Sequence, residues 1–408
     1  VEPGPAEMLA ASGARRAPVV LFALVPQALP GLLGYTVYSL ECAIRSATVL
    51  GFVGAGGIGQ ELQLSMRLFE YGQVSTLLLA LLGLMLTGEA VSRMLRRATR
   101  SAREGGFRSA SRSRRSAVLA GAAAAVLASL WGSGLLAAAD AGLLARMGRF
   151  AAQLIPPDLS PAFLASLRVP VLQTLAVAGA GTLLGIGVAS VLAPLASAGL
   201  LLRRRDAPGR PGLAAALGTA VHAVARTALA VLRGIPEMLW VLVCIVAVGF
   251  GPFAGALALG LHTGGVLGKL WAEALDEVPP GPLEVLEAAG ASGPVRTLWG
   301  AWPQARALVA SYGLLRWEFN LRVSALVGLV GGGGLGLKLY NALQLGFHEQ
   351  VCTMVLVIFG LVTLSDGLSD ALRRTWLPAA PERAERGPPV PALLALATTP
   401  APPGVAGS

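Results

Sequence analysis

Across 408 residues the hydrophobic fraction is 54% and the charged fraction only 13%, with a mean hydropathy of +0.67. That balance excludes an ordinary soluble domain, whose surface must carry many charges, and leaves an all-α polytopic membrane protein. The net charge of +10 comes almost wholly from arginine, since Lys269 and Lys338 are the only lysines; in a chain saturated with Ala, Gly, Arg and Pro, this reads as base composition rather than as a nucleic-acid footprint.

A helix needs roughly 20 apolar residues to cross about 30 Å of hydrocarbon. Eight such crossings are expected, at residues 30–50, 74–95, 117–139, 171–195, 235–250, 252–271, 307–327 and 351–372. No cleavable signal opens the chain, so the spans themselves are expected to direct insertion. After the second crossing, RRATRSAREGGFRSASRSRRS (96–116) carries eight arginines against one glutamate, and LLRRRDAPGRPG (201–212) is again basic. Short arginine-rich loops stay in the cytoplasm. Alternation from these anchors puts the regions of Glu7 and Glu284 and the tail on the cytoplasmic side, and the runs GAGGIG and GGGGLG on the outer face. With a span on each side and Phe107 as its single aromatic, segment 96–116 reads as a membrane-flanking linker, so no nucleic acid is expected as a partner. The tail, 378–408, combines many prolines with little apolar bulk and is expected to be disordered. Cys42, Cys244 and Cys352 sit in apolar surroundings without C-x-x-C spacing, so neither a metal nor a disulfide framework is expected.

Two runs match the dinucleotide-binding pattern G-x-G-x-x-G: Gly54, Gly56, Gly57 and Gly59 in the first, and Gly331, Gly333, Gly334 and Gly336 in the second. A nucleotide fold needs a strand before the glycines, a helix after them and an acid about 20 residues on. Here the flanks are membrane spans, and Glu70 in the first run is answered by Phe347 in the second. No cofactor is expected. A phosphate loop is missing too, because Gly59 precedes Gln60 and Gly268-Lys269 has Thr263 where the first glycine belongs. The chain is therefore not expected to hydrolyse ATP, and the runs read as tight turns between embedded helices, serving either helix packing or a flexible outer lip.

The two runs belong to a longer repeat. A shift of 277 positions superposes Glu7 on Glu284, Gly13 on Gly290, Pro26-Gln27 on Pro303-Gln304, Tyr35 on Tyr312, Glu41 on Glu318, Arg45 on Arg322, and Arg96-Arg97 on Arg373-Arg374, without a gap. The second copy has an even number of expected spans, so the copies run parallel. The domains expected are the last part of a first copy, 1–97, with its loop and two spans; a basic linker, 98–116; a complete second copy of six spans, 117–377; and the tail, 378–408.

The loops EMLAASGARRAPVVLFALVPQ from Glu7 and EVLEAAGASGPVRTLWGAWPQ from Glu284 share one spacing of Glu, Gly and Pro. It resembles the coupling loop of ABC importer permeases, and the stretches from Val231 and from Tyr35 are similar to phosphonate-type permeases in particular. The resemblance implies a type I ABC importer permease fold and no enzyme activity in this chain. It further implies ABC ATPase subunits docked on Glu7, Gly13, Pro26, Glu284, Gly290 and Pro303, and an extracytoplasmic substrate-binding protein near the glycine turns. A small anionic substrate, phosphonate or a related oxyanion, would cross the bacterial inner membrane. Methionine-type permeases share GGGGLG and stand as one alternative, and an ion-coupled secondary transporter as another.

Charges inside spans carry a cost. Glu41 and Arg45, and again Glu318 and Arg322, lie four apart on one helix face. A lone charge near the bilayer centre costs about 2.5–3.5 kcal/mol on insertion scales. Either each pair fixes helix packing, or its arginine lines a watery path that attracts an anion. Glu237 and His262 join them as candidate pathway residues, although His262 also reads as a satisfied interior histidine. Lys269 and Glu273 read as a structural pair.

Overall fold

The computed structural model describes residues 4–25, 56–104, 141–201 and 213–376, with isolated positions between 28 and 54 and between 127 and 132. Most of the spans 30–50 and 117–139, the linker beyond residue 104 and the tail lie outside the described residues, as do Pro26, Glu41 and Arg45. All described elements are helical, and contacts divide them into two compact units: residues 1–47, 80–140 and 380–408, and residues 48–79 and 141–379.

In the first unit, α1 (Gly4–Ala11) and α2 (Arg16–Val19) are followed by a π-helical turn, Val20–Leu24. Val19 and Ala23 are buried there under Leu9, Ala14 and Leu24. Helix α3 (Ile58–Arg67) lies in the second unit, and α4 (Tyr71–Glu104) has residues in both. The expected span 74–95 falls within α4. Its helix continues beyond residue 97, where the linker was expected to begin, because Arg, Ala, Ser and Glu all tolerate helical geometry.

The remaining helices belong to the second unit. Helix α5 (Ala141–Gln153) precedes α6 (Pro161–Ser166), which starts where Ser160 Oγ accepts a hydrogen bond from Phe163 N (3.4 Å) and proline takes the first turn. Then come α7 (Arg168–Ala196), α8 (Leu213–Gly234), α9 (Glu237–Val248), α10 (Pro252–Asp276) and α11 (Pro280–Ala288). The π-helical turn Arg296–Ala301 leads into α12 (Trp302–Val327), a second π-helical turn (Gly328–Gly332), α13 (Gly334–Gln344) and α14 (His348–Trp376).

Three stretches, Pro161–Ala196, Pro252–Asp276 and His348–Thr375, are long and apolar enough to cross a membrane unaided. Two bent pairs qualify jointly: α8 with α9, bent by 94°, and Gly293–Gly332 with α13, bent by 59°. The expected crossings 171–195, 252–271, 307–327 and 351–372 therefore sit in α7, α10, α12 and α14. One expectation needs correction. Residues 235–250 do not form a crossing of their own, because α9 has 12 residues and, at about 1.5 Å per residue, falls short of the hydrocarbon thickness. It is the second arm of a bent pair whose first arm, α8, begins directly after the basic loop.

The tightest helix pairing in this unit joins α7 to α10, and glycine explains it. A methyl group at Gly181 would meet Leu259 Cβ at 2.8 Å, and one at Gly185 would meet Thr263 Cγ2 at 2.6 Å. Reciprocally, Gly260 faces Leu184 Cβ at 2.7 Å and Gly264 faces Val188 Cβ at 2.7 Å. Two small-xxx-small ridges thus interlock, which is how helices associate where water supplies no apolar driving force.

Candidate functional site

Each of the two loops folds as a helix–turn–helix. In the first, Gly13 has φ +81°, Ser12 N donates to Met8 O (3.1 Å) and Ala14 N to Leu9 O (3.1 Å). In the second, Gly290 has φ +80°, Ala289 N donates to Val285 O (3.0 Å) and Ala291 N to Leu286 O (2.9 Å). Both are left-handed glycine helix stops, a position where a side chain would be strained. Glu7 and Glu284 are exposed on α1 and α11, and Pro303 lies in the first turn of α12. The second loop buries Leu283 and Ala301 and ties Arg296 Nη1 to Glu287 Oε2 (2.6 Å). It leaves Val285, Leu298 and Trp299 (75%) exposed.

The glycine turns also match. Gly54 and Gly331 have φ +107° and +112°, Gly56 and Gly333 +92° and +78°, and Gly57 and Gly334 +75° and +72°. A methyl group at Gly51 would meet Gly59 Cα at 2.8 Å, and one at Gly328 would meet Gly336 Cα at 2.7 Å. Backbone therefore packs on backbone in both turns, and helices rather than a strand flank the glycines. In the second copy, Gln173 Oε1 and Thr174 Oγ1 accept hydrogen bonds from Gly334 N (3.2 Å) and Leu335 N (2.9 Å), so α7 satisfies the free N–H groups that open α13. The helices after the turns touch: Gln63 Nε2 of α3 donates to Tyr340 Oη of α13 at 2.7 Å.

The intramembrane charges are arranged differently from the expectation. Glu318 and Arg322 share a face of α12, but they do not pair with each other. Arg322 Nη2 reaches both carboxylate oxygens of Asp366 at 2.8 Å, and Arg373 Nη2 donates to Glu318 Oε1 at 2.5 Å. Both partners lie on α14. Each acid and each arginine has a like-charged residue at the repeat-equivalent position: Glu41, Arg45, Glu89 and Arg96. His262 and Glu237 do meet, across the break at Pro236. His262 Nδ1 is 3.0 Å from Ile235 O, and Nε2 is 3.6 Å from Glu237 Oε2. Proline has no N–H to donate and interrupts the helical ladder; the imidazole takes up a carbonyl beside that break. Lys269 pairs with Glu273 at 3.4 Å.

Two features escaped the sequence reading. The first is a buried polar chain: Thr263 Oγ1 donates to Asn320 Oδ1 (3.0 Å), Asn320 Nδ2 to Thr182 Oγ1 (2.9 Å), and Thr182 Oγ1 to Ala178 O (2.7 Å). It links α10, α12 and α7 at residues almost fully buried. The second is a cavity of about 1230 Å³ beside α7 and α12, lined among others by Thr182, Trp271, Trp302, Arg306 and Trp317. Trp271 and Trp302 meet edge to face, with centroids 5.5 Å apart. Arg306, one turn beyond Trp302, is the charged residue of this lining and has no ion pair among the described residues. The indole N–H of Trp271 is buried there without an acceptor among the described residues.

The described residues form a helical protein with apolar helices long enough to cross a membrane and two helix–turn–helix loops stopped at equivalent glycines. The family described as binding-protein-dependent transport system inner membrane component matches residues 212–377. Among relatives, the phosphite transport system permease protein PtxC of Stutzerimonas stutzeri is 36% identical over 250 residues, covering 61% of this chain and 85% of that protein. The phosphate-import permease protein PhnE of Mycolicibacterium smegmatis is 31% identical over 382 residues, covering 91% of this chain and 66% of that protein. Among solved structures, the MetNI methionine ABC transporter in an inward-facing conformation is 23% identical, with a TM-score of 0.43, over 53% of this chain and 98% of that one. The chain belongs to the binding-protein-dependent inner-membrane permeases and is the membrane-spanning subunit of an ABC importer, not an enzyme.

Proposed function

We propose that this permease carries a phosphonate or a related phosphorus oxyanion across the inner membrane. The observation that carries this reading is the likeness to permeases named for phosphite and phosphate. The charges of the second copy agree with it. Arg322 and Arg373 are committed to carboxylates, whereas Arg306 offers an uncommitted guanidinium, with the Trp271 N–H in the same lining. An otherwise apolar lining suits a passage, where binding must be weak enough to release the ion.

In this reading residues 1–97 end a first permease copy, 98–116 form a basic cytoplasmic linker, 117–377 form a complete second copy and 378–408 a tail. The stretches Glu7 to Pro26 and Glu284 to Pro303 face the cytoplasm and dock ATPase subunits, with Val285, Leu298 and Trp299 as an apolar contact surface. The glycine turns face outward, toward the binding protein. ATP drives alternation by binding the outward-open arrangement more tightly than the inward-open one. The family favours ATP coupling over an ion gradient, and the ligands in the relatives' names favour an oxyanion over methionine.

The test is uptake by proteoliposomes containing the chain and its ATPase, supplied with the substrate-binding protein. ATP-dependent entry of phosphite, phosphate or a phosphonate, each competing with the others, is expected. Entry of methionine alone would overturn the substrate. Trp299→Ala should weaken ATPase association roughly thirtyfold, the scale of an interface hot spot of about 2 kcal/mol. Cysteines placed at residues 7 and 284 should resist an impermeant reagent added outside intact cells, and labelling from that side would refute the orientation.

A further inference from the structure

The hydrogen bond from Gln63 to Tyr340 joins residues 277 positions apart, which is the shift that superposes the two copies. Gln63 and Tyr340 are therefore the same site of the fold, once in each copy. Under a two-fold relation, the separation of equivalent points is twice their distance from the axis, so equivalents touch only where the axis passes. Their surroundings correspond as well. Leu68 N donates to Leu64 O and Leu345 N to Asn341 O, both at 3.0 Å, and the turns that follow place Phe69 at φ +59° and Gly346 at φ +75°.

From this contact we infer that the surface on which two permease copies pair is formed within one chain, with Gln63 of α3 and Tyr340 of α13 on its two-fold axis. The inference rests on the permease reading above and adds the partner: this chain's own other copy, not a second chain. Side-chain chemistry favours that partner. In a pairing of like copies from separate chains, tyrosine would face tyrosine and glutamine would face glutamine. Here an amide donor meets a phenolic acceptor at a part-buried position, with Tyr340 itself buried. Divergence at one site of the repeat has produced a complementary pair, which selects first copy against second.

The experiment places cysteines at positions 63 and 340 of the full chain, with Cys42, Cys244 and Cys352 replaced by serine and a protease site inserted between residues 105 and 116. A bifunctional maleimide then spans the space that the two long side chains fill. The expected product runs at the mass of one chain, and its halves stay joined after the linker is cut. A product at twice that mass, or halves that separate although each cysteine is labelled singly, would overturn the inference. Native mass spectrometry of the unaltered chain with its ATPase gives an independent reading, since one permease chain per complex is expected and two would contradict it. Failure to retain any ATPase would count against the permease docking reading instead, and leaves the cross-link result to be judged by itself.

Discussion

Arg322 on α12 holds both carboxylate oxygens of Asp366 on α14 with a single nitrogen, at 2.8 Å each. A second ionic pair, Glu318 with Arg373, joins the same two helices. The arrangement staples α12 to α14 and neutralises four charges that a span would otherwise carry alone. Arg322→Ala leaves Asp366 uncompensated, at a cost on the order of 2.5–3.5 kcal/mol if the site lies near mid-membrane. We expect a lower melting temperature in detergent and less folded protein, with recovery when the charges are exchanged as Arg322→Asp with Asp366→Arg. Full stability accompanied by lost uptake would instead assign Arg322 to the ion path.

How much of this was legible is clear from the same residues. The expense of Glu318 and Arg322 is visible in the sequence, and so is their recurrence at Glu41 and Arg45. Their partners are not, because helical spacing reports neighbours on one helix and says nothing of which helix lies opposite. Asp366 had a signal that went unread: its repeat position holds Glu89, also an acid. Asn320 had none. Its counterpart is Ala43, so the repeat carries no sign of the buried chain through Thr182 and Thr263. The loop turns at Gly13 and Gly290 were legible because a left-handed stop demands glycine, whereas the bend at Pro236 hid α8 behind a basic loop.

Gly336→Ala should be severe. Its methyl group would press on the Ala325 carbonyl and reach Gly328 Cα at 2.8 Å, and backbone cannot move aside as a side chain can. Overpacking of this kind costs about 1–3 kcal/mol. Gly360→Ala on α14, with no atom within 4 Å of the added carbon, should be neutral or slightly stabilising. Thermal melting of the two variants side by side checks the contrast; equal effects would mean that the turn is looser than its contacts imply.

Arg306→Gln removes the cation from the cavity lining and leaves neighbouring packing in place. Oxyanion uptake should fall at least tenfold, through a raised KM at low substrate, while ATPase association and melting temperature stay unchanged. Arg306→Lys should recover part of the loss, since charge is kept but the planar fork is not. Unaltered uptake kinetics in the glutamine variant would remove Arg306 from the path.

Asp158, in the segment before α6, is held below the ordinary aspartate value of 3.8, chiefly by its hydrogen bonds from Ser160 and also by one from Gln350. A carboxyl that binds its proton less tightly when folded contributes fully above the unfolded value, and the contribution is lost as pH falls through the lower, folded one. Stability should therefore decline on acidification below about pH 4. Asp158→Asn should show less of that decline, measured as the difference in melting temperature between neutral and strongly acidic buffer. An identical difference in both proteins would indicate that other groups govern acid sensitivity.

Where α7 and α10 meet through Gly181, Gly185, Gly260 and Gly264, a side chain on either backbone would strike the other helix. Such a joint has no slack. Whatever movement opens and shuts the conduit must take these two rods along as a single beam, and the compliance has to sit elsewhere, at the elbow of Pro236 and in the widened turns flanking α12. Side chains added at the four glycines would wedge this beam apart, in a machine whose fuel is burned by another subunit.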